Sequence, residues 1–172
     1  MMTDTQISPE VLDRARKIKL LLMDCDGVLT DGRLYFSETG ESLKVFHARD
    51  GQGIVDWHKA GFRSGIISGR VSKIVDLRAG QLGIEFVLQG RSEKVAAFEE
   101  LVAAAGVTPD ETALIGDDTP DAAVMPLVGL AVAVADAHDA VKAVSHYVTP
   151  CRGGRGAVRE VIDLLMESKR EP

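Results

Sequence analysis

The most constraining feature of this chain is an apolar run that ends abruptly in two aspartates. Ile18 to Met23 have the composition of a buried strand, and Asp24 and Asp26 follow with one residue between them. Paired carboxylates at the end of a buried strand cost stability unless a partner neutralises them. At the carboxyl end of a parallel strand they would face a crevice suited to a metal ion and a phosphate. The run therefore predicts an acidic site at the edge of a sheet.

Apolar runs alternate with helical patterns along the rest of the chain, which is typical of βαβ units and a parallel sheet. The predicted strands are Lys19–Asp24, Arg63–Ser68, Glu85–Gln89, Thr112–Gly116, Ala131–Val134 and an edge strand Tyr147–Val148. The predicted helices run from the Ser8-Pro9 cap to Lys17, near Gly53–Ala60, over Ser72–Leu82 and Glu93–Ala105, near Asp121–Val128, and over Ala157–Glu167. A β-hairpin is predicted from Leu34–Ser37 and Leu43–Phe46, joined by residues 38–41. The predicted fold class is α/β, a Rossmann-like doubly wound parallel sheet with a hairpin insertion.

Size and charge limit the classes of function. The 172 residues fit one domain, residues 1–172, with a core at about 18–167. A net charge of −6 disfavours binding to nucleic acid or an anionic membrane. The longest apolar stretches are far shorter than the roughly 20 residues that span a bilayer, and residues 1–16 lack a leader pattern. Cys25 and Cys151 offer neither a disulfide framework nor metal-ligand spacing, so we expect a cytoplasmic protein.

Polar side chains occur at the same end of several predicted elements. Asp24 ends the first strand, Ser68 the second and Asp117 with Asp118 the fourth, while Lys94 opens the helix after the third. Ligands of open α/β sheets bind outside the carboxyl ends of the strands. These segments should therefore meet at one crevice. Taken alone, Ser68 could cap the following helix and Lys94 could be a solvated surface charge.

The acidic segment, DCDGVLT at residues 24–30, resembles the first motif of the haloacid-dehalogenase-type phosphohydrolases. The sequence around Ser68, IISGR, looks like their second motif, and Lys94 stands as the third-motif cation. The resemblance implies hydrolysis of a phosphomonoester through an aspartyl-phosphate on Asp24, with Mg²⁺ as cofactor. The implied metal ligands are the side chains of Asp24 and Asp117 and the backbone carbonyl of Asp26.

The same resemblance implies roles for the neighbouring residues. Asp26 would protonate the leaving oxygen and then deprotonate the attacking water. Ser68 and Gly69 would bind the phosphoryl oxygens, and Lys94 would offset negative charge. Asp118 would orient Lys94 or a metal-bound water. Asp121 fits better as part of a helix cap than as a site residue.

The substrate class follows from a narrower resemblance. Residues 31–50 and 68–94 leave no room for a cap domain. Four segments resemble the family of 3-deoxy-D-manno-octulosonate 8-phosphate phosphatases of lipopolysaccharide biosynthesis: Val45–Gly53, Gly116–Asp118, Ala131–Ala137 and Gly153–Glu160. This implies a small acidic sugar phosphate as substrate and a homotetramer in which the hairpin, residues 33–47, covers a neighbour's site. The candidate contacts for the substrate are Arg70, Arg78, Arg49, Arg155 and Arg152.

Several alternatives remain open from the sequence. The substrate could be a nine-carbon keto-sugar 9-phosphate, although Arg70 favours the eight-carbon acid, and residues 119–123 depart from the expected pattern. The chain could also be a receiver-like phospho-aspartate signalling domain or a non-catalytic oligomerisation module. The hairpin could fold back on its own domain. The Gly-rich segment Arg152–Gly156 could be a mobile gate or a lead-in to the last helix.

Overall fold

A computed structural model describes residues 7–170 of the chain. Residues 1–6 and 171–172, which form the two ends of the predicted domain, lie outside the described residues. The helices are α1 (Pro9–Lys17), α2 (Ala48–Lys59), α3 (Lys73–Leu82), α4 (Lys94–Ala105), α5 (Thr119–Ala122), α6 (Asp139–Ala143) and α7 (Ala157–Ser168). The strands are β1 (Leu20–Met23), β2 (Tyr35–Ser37), β3 (Gly40–Leu43), β4 (Arg63–Ile67), β5 (Phe86–Leu88), β6 (Thr112–Gly116), β7 (Leu130–Ala133) and β8 (Tyr147–Val148).

A six-stranded parallel sheet in the order β5-β4-β1-β6-β7-β8 forms the centre of the fold, and helices flank it. The chain builds outward from β1 through β4 to β5 and then returns to place β6 on the other side of β1. The strand order therefore reverses between β1 and β6, and a ligand crevice is expected at their carboxyl ends. The predicted α/β fold class is confirmed.

Strand β1 is apolar throughout because both faces of the sheet are covered. All four residues of Leu20–Met23 are fully buried, as are the neighbouring strand residues Ala113 and Ile115. Parallel strands with helices on both faces have this continuous apolar composition. Among residues 7–170, none of the helices is both long and apolar enough to cross a membrane.

The hairpin and two helices differ from their predicted bounds, and one of these helices, α2, begins at Ala48 rather than near Gly53. The hairpin pairs Ser37 with Gly40, so its loop has two residues and β3 ends at Leu43. Gly40 has φ of +114°, which lets the chain turn back early. The predicted helix Asp121–Val128 is only the four-residue α5 followed by a 3₁₀ turn over Met125–Leu127. Pro126 has no N–H group for an α-helical bond to Ala122, so the helix cannot continue.

The Gly-rich segment Arg152–Gly156 packs against the loop that follows β1. The N–H group of Gly154 donates to the carbonyl of Val28 at 2.8 Å. A Cβ atom on Gly153 would lie 1.6 Å from the carbonyl oxygen of Gly27, so the two backbones touch directly. Asp50 accepts hydrogen bonds from the N–H groups of Gly156 and Arg159 at the start of α7. The segment is thus a packed lead-in to α7 in this structure.

We expect Gly153→Ala to lower the free energy of unfolding by about 1–3 kcal/mol, because its methyl group must push two backbone segments apart. Urea unfolding followed by circular dichroism measures the change. Gly80→Ala is the matched control, since nothing lies within 4 Å of a Cβ there and Gly80 is inside α3. The control should be neutral or stabilising by about 0.5–1 kcal/mol. Equal effects of the two substitutions would contradict the packing of the segment on the loop.

Candidate active site

The centre of the site is an ammonium group between two carboxylates. Lys94, the first residue of α4, donates to Asp24 Oδ1 at 2.8 Å and to Asp121 Oδ1 at 2.6 Å. The side chain of Lys94 is 5% exposed and that of Asp121 is fully buried. A lysine so buried needs such partners to stay charged. Burial acts to lower the pKa of Lys94, but the two carboxylates outweigh it and the pKa lies above its ordinary value.

Negative charge exceeds positive charge around this lysine. Carboxylate oxygens of Asp24, Asp117 and Asp121 lie within 4.8 Å of one another. Burial, followed by the charges of Asp24 and Asp121, raises the pKa of Asp117 to about 8. The pKa of Asp24 is also raised, chiefly by burial and against the effect of Lys94. A further cation would relieve this repulsion.

The donor set fits a hard divalent cation. Asp117 Oδ1 is buried and has no hydrogen-bond partner within residues 7–170. Gly27 lies so close that a Cβ atom there would be 2.0 Å from Asp117 Oδ2. Its φ of +98° also requires glycine, so the chain turns tightly beneath the carboxylate. Oxygen ligands from one or two carboxylates are what Mg²⁺ prefers.

Asp121, rather than Asp118, is the carboxylate that holds Lys94, which corrects the part of the prediction in which Asp118 orients Lys94. Asp118 is exposed, and its Oδ1 accepts from the N–H group of Thr119 at the start of α5. Asp121 Oδ2 accepts from the N–H groups of Asp117 and Asp118 at 3.0 and 3.3 Å. Asp121 therefore caps α5, as predicted, and also reaches the site. The signal in the sequence was the spacing of three residues between Asp118 and Asp121, which is that of a capping box and turns the Asp121 carboxylate back towards the start of α5.

Ser68 and Gly69 lie at the end of β4, on the wall of a 340 Å³ cavity that also contains Asp24, Lys94 and Asp117. Ser68 is 3% exposed, and its Oγ accepts from the N–H group of Arg70 at 3.3 Å. It does not cap α3, because Ser72 occupies that position. Ser68 therefore belongs to the crevice.

Cys25, between the two aspartates, is instead fully buried, and burial raises the pKa of its thiol to about 12.

Asp26 is held by two cations, one of which the sequence analysis did not identify. Lys44, directly after β3, donates to Asp26 Oδ1, and its Nζ lies 3.0 Å from Glu41 Oε1. Arg70 Nε lies 3.3 Å from Asp26 Oδ2. Ser72 Oγ donates to Glu41 Oε2, which ties the hairpin to α3. The polar base of the hairpin thus contacts its own domain.

Of the five arginines in the predicted substrate-binding set, only Arg70 lines the cavity among the described residues, and Arg152 is exposed. Arg78 lies instead beside Phe46, 5.8 Å from the ring centre. Arg155 is largely exposed and 3.8 Å from Asp31, and Arg49 is exposed. Arg91 lines the cavity and was missed, because it lies in a loop without a recognised motif.

Comparisons with known proteins match nearly the whole chain. A family model described as haloacid dehalogenase-like hydrolase matches residues 64–162. The 3-deoxy-D-manno-octulosonate 8-phosphate phosphatase KdsC of Yersinia pestis is 47% identical over 160 residues, which cover 93% of this chain and 86% of that protein. The crystal structure of the phosphatase from Yersinia pestis has a TM-score of 0.92 at 45% identity, covering 97% of this chain and 92% of that chain.

A further solved structure is similar over the same extent. It is the 3-deoxy-D-manno-octulosonate 8-phosphate phosphatase from Moraxella catarrhalis in complex with a magnesium ion, a phosphate ion and a KDO molecule. Its TM-score is 0.90 at 38% identity, and the match covers 93% of this chain and 92% of that chain. The similarity to these enzymes includes the acidic loop after β1, which precedes the segment matched by the family model.

Proposed function

Because this chain belongs to the haloacid dehalogenase-like hydrolase family, we propose that it hydrolyses 3-deoxy-D-manno-octulosonate 8-phosphate to the free sugar acid and phosphate. The main structural support for this reaction is the cluster of Asp24, Asp117 and Asp121 around Lys94 at the sheet edge. The substrate is inferred from the relatives, which are 3-deoxy-D-manno-octulosonate 8-phosphate phosphatases. The step belongs to lipopolysaccharide biosynthesis, and residues 1–172 act as one phosphatase domain.

Asp24 is the nucleophile of the proposed mechanism. Lys94 fixes one oxygen of its carboxylate, and the other attacks phosphorus. A bond forms between Asp24 and phosphorus while the bond from phosphorus to the sugar oxygen breaks. Asp26 gives the leaving oxygen a proton and then takes one from the water that hydrolyses the aspartyl-phosphate. Asp24 and Asp26 then return to their starting states.

Mg²⁺ fits this acidic cluster as the cofactor. The side chains of Asp24 and Asp117 and the backbone carbonyl of Asp26 would hold it. The Oδ1 atom of Asp117, which has no hydrogen-bond partner in the described part of the chain, supports this assignment. When bound, the ion neutralises the charge that the phosphate brings to the carboxylates. Asp121 is a poorer ligand, because both of its oxygens already accept hydrogen bonds.

The walls of the cavity suit a substrate with two anionic groups. Ser68 and Gly69 would bind phosphoryl oxygens, with Lys94 stabilising their negative charge. Asp118 lines the same cavity and could orient a metal-bound water. Arg70 is the best placed residue for the sugar carboxylate, since guanidinium groups bind carboxylates through two hydrogen bonds.

The exposed side of the hairpin supports the homotetramer. Leu34, Phe36, Leu43 and Val45 are 47%, 59%, 44% and 55% exposed, although all are large and apolar. Exposed apolar clusters of this kind mark interaction surfaces. We therefore propose that residues 33–47 cover a neighbouring subunit's site, where Arg49, Arg78 and Arg155 could join the substrate contacts. The unpaired cysteines are consistent with a cytoplasmic location.

The proposed function predicts phosphate release by the purified protein with Mg²⁺. 3-Deoxy-D-manno-octulosonate 8-phosphate should be turned over faster than a nine-carbon keto-sugar 9-phosphate and far faster than hexose phosphates. A preference for the nine-carbon compound would support the alternative substrate. A long-lived phosphoprotein without turnover would support the signalling alternative.

Asp24→Asn should abolish turnover, because an amide oxygen is a much weaker nucleophile, while the protein stays folded. Phosphate release measures the activity, and circular dichroism checks the fold. Asp110→Asn is the charge-matched control, since Asp110 is exposed before β6, at the opposite end of the sheet, and should keep full activity. Near-native activity of Asp24→Asn would rule out this nucleophile.

A chelator should also abolish turnover, and added Mg²⁺ should restore it.

The proposed assembly predicts a tetramer at micromolar concentration in light scattering. Phe36→Ser should shift the protein towards smaller species, because it removes the most exposed aromatic ring of the hairpin. Val144→Ser is the control, since Val144 is 41% exposed but lies outside the hairpin, after α6. A monomeric wild-type protein would contradict the proposed assembly.

A further inference from the structure

Lys44 combines burial with a direct contact to the proposed proton donor. Its side chain is only 2% exposed, although most residues of the hairpin are exposed. The ammonium donates to Asp26 Oδ1 and lies 3.0 Å from Glu41 Oε1. Burying a lysine is unfavourable unless its partners are well placed. The fold thus places an ammonium group directly behind Asp26.

We propose that Lys44 is a positioning residue that fixes which oxygen of Asp26 faces the leaving group. This inference rests on the proposed function, because it concerns the residue that protonates the leaving oxygen. The charge-assisted hydrogen bond from Lys44 holds Oδ1 away from the cavity. It prevents the carboxyl group from rotating, so that its second oxygen stays at the reacting centre.

The two oxygens of Asp26 have different surroundings. Oδ1 meets the buried Lys44, whereas Oδ2 lies 3.3 Å from Nε of Arg70, whose side chain is 41% exposed and lines the cavity. Oδ2 is therefore on the substrate side. A displacement of about 1 Å from the productive position can lower a rate by about 10²-fold. Fixing Oδ1 should therefore raise the rate at which Asp26 protonates the leaving oxygen.

Glu41 and Ser72 hold Lys44 in this position. Glu41 bonds Lys44 through Oε1 and accepts from Ser72 Oγ through Oε2. Ser72 in turn donates its N–H group to Gln89 Oε1 at 2.8 Å, just beyond β5. A chain of hydrogen bonds therefore connects Asp26 through the hairpin to the sheet. The hairpin has a role in its own subunit besides any contact with a neighbour.

The test compares leaving groups that need a proton with one that does not. The alkoxide released from 3-deoxy-D-manno-octulosonate 8-phosphate must be protonated, whereas p-nitrophenolate is a stable anion. Single-turnover measurements with enzyme in excess report the first step for both esters. Lys44→Met keeps the length of the side chain and removes its charge. We expect it to slow sugar release about 10–100-fold, a part of the usual acid–base contribution.

The same variant should leave p-nitrophenolate release within about threefold of wild type and KM for the sugar phosphate within about twofold. Lys73→Met is the matched control, because Lys73 is exposed at the start of α3 and should behave like wild type. If Lys44→Met does not fold, Lys44→Gln is measured in its place. Its amide keeps a hydrogen bond to Asp26 without the charge, so the loss should again be confined to sugar release but be smaller than the 10–100-fold expected for Lys44→Met.

Two results would overturn the positioning role. Equal slowing of both esters would show that Lys44 acts on Asp24 or on the fold as a whole. Unchanged sugar release would show that Lys44 serves only to attach the hairpin. Either result with an active wild-type protein overturns this inference alone. A wild-type protein inactive on both esters overturns the proposed function and this inference together.

Discussion

The charge balance around Lys94 is the interaction on which the site depends. Its ammonium joins Asp24, after β1, to Asp121, in α5 after β6. These segments are neighbours only because the strand order reverses between β1 and β6. The lysine bonds two carboxylates, but the third, on Asp117, keeps an oxygen without a partner among residues 7–170, and the pKa values of both Asp24 and Asp117 are raised. The fold therefore creates a shortage of positive charge where a metal ion would bind.

Close backbone packing supports this arrangement. Gly27 allows the loop after β1 to pass directly beneath Asp117. The Gly153 segment also packs against this loop, and Asp50 holds the chain that follows at the start of α7. Asp24 is thus presented by a loop that packs against both Asp117 and the Gly153 segment. Such support from the scaffold holds catalytic groups in their productive geometry.

The sequence predicted the strands and the acidic residues well, because apolar runs that end in polar groups have few other interpretations. Strand β6 and the edge strand β8 have their predicted bounds. The hairpin register was wrong, since a short exposed ribbon has no buried face to fix its pairing. Asp121 and Lys44 were missed as site residues for a different reason. Their roles depend on contacts between distant segments, and the local sequence around each is compatible with a helix cap or a surface charge.

In the proposed mechanism, Asp24 carries the phosphoryl group during turnover. Acid quenching of the wild-type protein during hydrolysis, followed by borohydride reduction and peptide mass mapping, tests it directly, because borohydride reduces an acyl phosphate to an alcohol. We expect conversion of residue 24 to homoserine, dependent on substrate and Mg²⁺. Homoserine at position 26 or 117 instead, or an unmodified protein under conditions of rapid turnover, would contradict it.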